Sequence, residues 1–267
     1  MDPASGIPSS RMKISVQSYA NRRPFPQWRF LQLTLVIVTW IALMPLLTDK
    51  WTGHLAMQLL LLDLMLVTLW ANPQWGQLRL VILVLWALSL LASTGSVLGL
   101  AAGWDRLERI LDVAFMIPVT LACVIGVALF AFRAERPTVD GIFAMVVAYL
   151  LIGMTFAELY YLLLVWNPDA LKLLAPVATL DPHELRSQLV YFSMITLSTV
   201  GYGDILPASD QARMLAMVEA VVGQFFVAVV VAMFISMYTT QAIEARADAR
   251  AAARDQAQKD AERDAAG

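Results

Sequence analysis

The sequence predicts an all-α membrane protein: six crossing helices, with a short re-entrant helix and loop between the fifth and the sixth. Three observations carry that prediction. Hydrophobic residues make up 59% of the chain and charged residues only 15%, against about 25% charged in an average soluble domain, and the mean hydropathy is +0.66. Six apolar runs each approach the roughly 20 residues that a helix needs to cross the hydrocarbon core. One broken stretch, 166–207, separates the last two runs and is too irregular to cross as a helix.

In chain order, residues 1–28 form a polar, basic N-terminal tail with Pro3, Pro8 and Pro24. The apolar run after it is too long for the core of a cleaved signal peptide and ends in no A-x-A site, so it is expected to remain as the first crossing. The predicted spans are Arg29–Leu47, His54–Ala71, Leu78–Leu100, Ile110–Phe132, Ile142–Val165 and Met214–Met237. Four of them form a peripheral unit, 29–133. The last two, with the segment between them, form a second unit, 138–240, and a cytoplasmic helix, 241–267, follows. With the N-terminus inside, thirteen Lys and Arg fall in inner segments and six (Lys50, Arg106, Arg109, Lys172, Arg186 and Arg213) in outer ones. That excess places both termini in the cytoplasm, in a multi-pass protein of the cell membrane.

Within the broken stretch, Asp181-Pro182-His183-Glu184 is a helix start: an acid at the N-cap, proline at N1 and glutamate at N3. A helix from there to about Ser198 is roughly 22 Å long at 1.5 Å per residue, too short to cross. Its C-terminus, with a partial negative charge, points into the bilayer. There the chain reads ITLSTVGYGD, Ile195 to Asp204. Irregular backbone at membrane depth survives only when buried in protein or lining a watery path. Gly201 and Gly203 can take positive φ, so the carbonyls from Thr199 to Gly203 can face one side over roughly 15 Å. One strand cannot surround an ion, but several copies around an axis can, and such oxygens suit a dehydrated alkali cation. Pro207 then interrupts the chain, and Ser209 is the predicted N-cap of the sixth span.

Thr199-Val200-Gly201-Tyr202-Gly203 resembles the selectivity-filter signature of potassium channels, in which four TVGYG loops share one axis. The likeness runs from about Ile142 to Tyr238. It implies that the main-chain oxygens of Thr199, Val200, Gly201 and Tyr202, with the Thr199 hydroxyl, hold K⁺, and that Gly203 completes the filter. Because the chain has a single filter, the resemblance implies a homotetramer with a pore helix and selectivity-filter loop in each subunit. Tyr202 would pack outward against the pore helix. Asp204 matches the acid at the outer mouth, Tyr191 stands where many members have a tryptophan bonded to that acid, and Ser198 supports the filter from its base. The similarity continues through Met217–Gln224. Gly223 falls where such channels often carry a hinge glycine, close helix packing being the other reading. Beyond it Val227, Val231, Phe234 and Ile235 share one helix face, bordered by Ala232, and four copies of that face form a candidate gate. No cofactor is expected, K⁺ being the permeant ion.

Acids at membrane depth are functional candidates by default. Glu158, by the same resemblance, is expected to bond the outer end of the pore-lining helix, and Glu219 to bond the pore-helix region from behind the filter. Asp63, in mid-span, is expected to find Ser89 or Ser93, and Asp112 to pair with Arg109 at i−3. No Lys or Arg lies between Arg109 and Arg133. Each charge moved through 100 mV supplies about 2.3 kcal/mol, so strong voltage gating is not expected and the four peripheral spans should brace the pore. Arg246, Arg250 and Arg254 follow one face of the C-terminal helix and suit anionic lipid. Cys123 is the single cysteine, so no intrachain disulfide forms. His54 and His183 are the only histidines and no metal-spaced cluster occurs, which argues against an enzyme. Nothing suggests a nucleic-acid partner. Two alternatives remain: a weakly selective cation channel on the same scaffold, and a secondary transporter, which should show matching halves.

Overall fold

The computed structural model describes residues 29–43, 50–98, 105–132 and 138–266. The N-terminal tail, the final residues of the first and third predicted spans, Arg133, Arg136 and the side chains of His54, Ser93 and Arg106 lie outside the described residues.

The described helices are α1 (Arg29–Leu43), α2 (Lys50–Ala71), α3 (Gly76–Leu98), α4 (Asp105–Phe132), α5 (Val139–Trp166), α6 (Pro182–Leu197) and α7 (Asp210–Ala266). Helix α5 begins three residues before its apolar run because Thr138, in extended backbone, caps it by accepting from the Gly141 N–H at 3.0 Å. Pro118 lies inside α4, which continues through it. Hydroxyls at membrane depth satisfy themselves locally: Thr34, Thr68, Thr120 and Thr155 each donate to the carbonyl four residues earlier.

Helix α5 is the centre of the molecule, with 61% of its apolar stretch buried. Its Ala144, Val147, Ala148 and Leu151 lie in one buried cluster with Phe30, Leu33 and Ile37, the i, i+3, i+7 face of α1. Phe30 stacks on Phe130 of α4 with ring centres 4.6 Å apart. At the end of α2, the buried Asn72 amide donates to Thr68 and to Gly126 of α4, both at 3.0 Å.

Four helical stretches are long and apolar enough to cross a membrane: Pro73–Leu91, Arg109–Phe132, Val139–Trp166 and Asp210–Ala251. Phe30–Leu43 and Gln58–Ala71 are apolar but shorter. The chain is therefore a multi-pass membrane protein. Helix α7 is the outlier: only 6% of its apolar stretch is buried in the chain. It also runs unbroken from the last span into the charged C-terminal segment.

Between α5 and α7, Leu171–Lys172 (β1) pairs antiparallel with Leu206–Pro207 (β2), an unforeseen two-stranded clip. Proline has no N–H to give, so the bonds pass to Ala208 and Ser209, whose N–H groups donate to the Ala170 carbonyl at 2.8 and 3.1 Å. Ser209 then caps α7 by accepting from the Ala212 N–H at 3.1 Å.

Candidate ion pathway

Helix α6 starts where Pro182 occupies its first turn, and the Asp181 carbonyl accepts from Leu185 N–H at 2.9 Å. Asp181 holds the predicted N-cap position, but its side chain makes no cap bond. At the other end, the carbonyls that a helix leaves open are taken by the loop that follows. Ser198 N–H donates to Met194 O at 3.1 Å and Thr199 N–H to Thr196 O at 2.9 Å. Val200 and Gly201 both donate to Ile195 O, at 2.8 and 3.1 Å. The Ser198 hydroxyl adds a bond to Met194 O at 2.7 Å.

Three N–H groups of the loop, those of Thr199, Val200 and Gly201, are thus spent on α6. Backbone handedness alternates along the loop: φ is +60° at Thr199, +53° at Gly201 and +83° at Gly203, every second residue. Alternating left- and right-handed residues bring successive amides to one side and successive carbonyls to the other. Glycine reaches this region freely, whereas threonine does so at a cost. Thr199 is held there by its bond to Thr196 and by Gln224 Nε2, 3.4 Å from its hydroxyl.

Asp204 follows the loop. Its Oδ2 accepts from the Tyr191 hydroxyl at 2.6 Å, and its Oδ1 from the Ile205 N–H at 3.0 Å. The Tyr191 bond holds the Asp204 carboxyl below the usual carboxylate range, and the same bond pushes the Tyr191 phenol up to about 12. Interactions tied to Asp204 ionisation are thus kept until pH falls through this depressed value. Tyr191→Phe removes the bond that favours the charged form, so loss of conduction on acidification should begin at a higher pH than in wild type. Superimposable profiles of flux against external pH would disprove the link.

Behind the loop, fully buried Glu219 of α7 accepts from the Tyr160 hydroxyl of α5 at 2.8 Å and from the Ser193 hydroxyl of α6. Ser193 also lies 2.6 Å from Gly153 O. Glu219 therefore ties the three helices together; Tyr160 and Ser193 gave no sign in the sequence, since each is an ordinary residue of an apolar run. Tyr160→Phe leaves Glu219 one donor short. It should cost about 1–2 kcal/mol per chain, read as a lower thermal midpoint of the purified protein.

In the single chain Tyr202 is 73% exposed and Val200 is 52% exposed. Three acids are placed otherwise than expected. Glu158 does not reach α7; its Oε1 stands 3.4 Å from Arg186 of α6. Asp112 pairs with Arg186, 74 residues away, and not with Arg109. Ser89 donates to Asp112 at 3.3 Å, while Asp63 is exposed on α2. Gly223 is packed against the end of α6, the second of its two readings. Val227, Val231, Ala232 and Ile235 are exposed on α7, and Phe234, on the same face, is half-buried against the chain's own core.

Two long apolar helices, with a short helix and a loop of alternating backbone handedness between them, have the arrangement of an ion channel's pore unit. The ion-channel family model matches residues 144–240. Protein LctB of Bacillus caldotenax is 36% identical over 98 residues, which is 36% of this chain and 72% of LctB. Two pore potassium channel b of Oryza sativa subsp. japonica is 38% identical over 95 residues, 34% of this chain and 23% of that protein. No solved structure matches significantly. The chain belongs to the ion-channel family.

Proposed function

We propose that the chain is one subunit of a homotetrameric potassium channel that conducts K⁺ passively through Thr199–Gly203. The observation that carries this reading is the TVGYG run with positive φ at alternate residues, its first three amides bound to the end of α6. Carbonyls so arranged replace the water shell of K⁺. A tetramer accounts for the exposure of Val200, Tyr202 and nearly all of α7 in one chain: neighbouring subunits would cover Tyr202 and the apolar faces of α7. The potassium-channel relative supports the choice of ion.

In this reading α1 to α4, α5 and α7 make six crossings with both termini in the cytoplasm, and α6 enters from outside. Val227, Val231, Ala232 and Ile235 line the inner path. Helix α4 offers the membrane field no cation between Arg109 and Arg133, so voltage dependence is weak. Arg246, Arg250 and Arg254, all exposed, meet anionic lipid below the membrane. The test is cation flux into liposomes holding the purified protein. Barium-sensitive K⁺ uptake far exceeding Na⁺ uptake is the expected result. Equal fluxes would point to a weakly selective cation channel, and no flux would defeat the proposal.

A further inference from the structure

Arg186 lies where three helices meet. Its guanidinium is ion-paired with Asp112 of α4, and its Nε stands 3.4 Å from Glu158 Oε1 of α5. Its Cζ lies 4.6 Å from the centre of the Tyr161 ring, also on α5. The Asp112 and Glu158 side chains are only 8% and 6% exposed. A buried cation needs one carboxylate; this one has two, from opposite sides of the joint between the peripheral helices and the pore unit.

That surplus has a physical consequence. Glu158 belongs to the same unit as Arg186, and its Oε2 is buried with no hydrogen-bond partner. If α4 withdraws, Glu158 still neutralises Arg186. Asp112 retains the Ser89 hydroxyl of α3. Arg186 keeps an anionic partner with the Asp112 contact made or broken, which is the property of a two-state element. Arg186 also lies on the helix whose Ile195 carbonyl holds Val200 and Gly201, nine residues further along.

We propose that Asp112 is a positioning residue for the filter. By gripping Arg186 it sets the lie of α6, and through α6 the peripheral helices govern how firmly the filter keeps its ions. The proposal rests on reading Thr199–Gly203 as an ion filter, and its test separates the two.

The full-length protein is purified as wild type, Asp112→Asn and Asp112→Glu, and two quantities are measured. One is amide exchange along α6; the other is the K⁺ concentration giving half-maximal thermal protection in a Na⁺ background. In Asp112→Asn both are expected to rise about tenfold, the equivalent of about 1.4 kcal/mol, and Asp112→Glu should restore both. Unchanged exchange overturns the proposal. Faster exchange with an unchanged K⁺ midpoint overturns it too, because the contact is then structural only. Should the wild type show no K⁺ protection, the filter reading fails, and exchange alone judges whether Asp112 holds α6. If Asp112→Asn does not assemble, Arg186→Lys, which keeps the charge but cannot fork between two carboxylates, is read by the same criteria.

Discussion

Replacing Gly201 with alanine should abolish K⁺ flux while leaving the helices folded. The residue stands at φ +53°, and a Cβ built there meets nothing within 4 Å in the chain. Obstruction inside the subunit is therefore not the cause; the backbone conformation is. An L-residue in the left-handed region costs about 1–2 kcal/mol, and four subunits sharing one filter would together face about 4–8 kcal/mol. At about 1.4 kcal/mol per tenfold, the conducting arrangement loses a factor of roughly a thousand to a million. Thr199 tolerates the same region at φ +60° only because its N–H and hydroxyl are both held. Gly201 keeps one bond, to Ile195 O, which is insufficient to hold four strained residues in place. Flux close to wild type in Gly201→Ala liposomes would show that these carbonyls are not the ion sites.

What could be read in the sequence, and what could not, divides along the range of the interactions. Apolar runs located the helices because lipid imposes the same length requirement on every crossing. Pro182 and Ser209 marked two helix starts because capping acts within a few residues. The alternation at Thr199, Gly201 and Gly203 was half legible: glycine announces freedom of φ, but nothing in a threonine codon announces a left-handed backbone. Charged pairs were read wrongly for a physical reason. The i−3 rule offered Arg109 to Asp112, yet Arg109 is exposed on α4, whereas Arg186 reaches Asp112 across the helix joint. A buried ion pair requires exclusion of water on all sides, which only the packed helices supply. Asp63 differs in the opposite sense: it is exposed on α2, and of its two expected partners Ser89 donates to Asp112 while the Ser93 side chain lies outside the described residues.

Gly223→Ala distinguishes the two roles open to that glycine, because they predict opposite signs. If Gly223 were a hinge, alanine would strengthen α7 by about 1 kcal/mol and yield a stable protein that opens less readily. The structure gives a different expectation. A Cβ at 223 would stand 2.3 Å from the Leu197 carbonyl oxygen and 3.1 Å from its carbon. Those are backbone atoms of the last residue of α6, and the Leu197 side chain is itself wholly buried, so neither can step aside. Overpacking of this kind costs about 1–3 kcal/mol per site, and in a tetramer it would act four times, directly beneath the loop that α6 supports. Helix α7 also passes through Gly223 without interruption. The expected result is therefore a less stable assembly with reduced K⁺ flux, seen as a lower thermal midpoint and earlier dissociation on size exclusion. The helix-propensity gain is outweighed at each site when the clash exceeds about 1 kcal/mol. A variant at least as stable as wild type, with lower open probability in bilayers, would return Gly223 to the hinge.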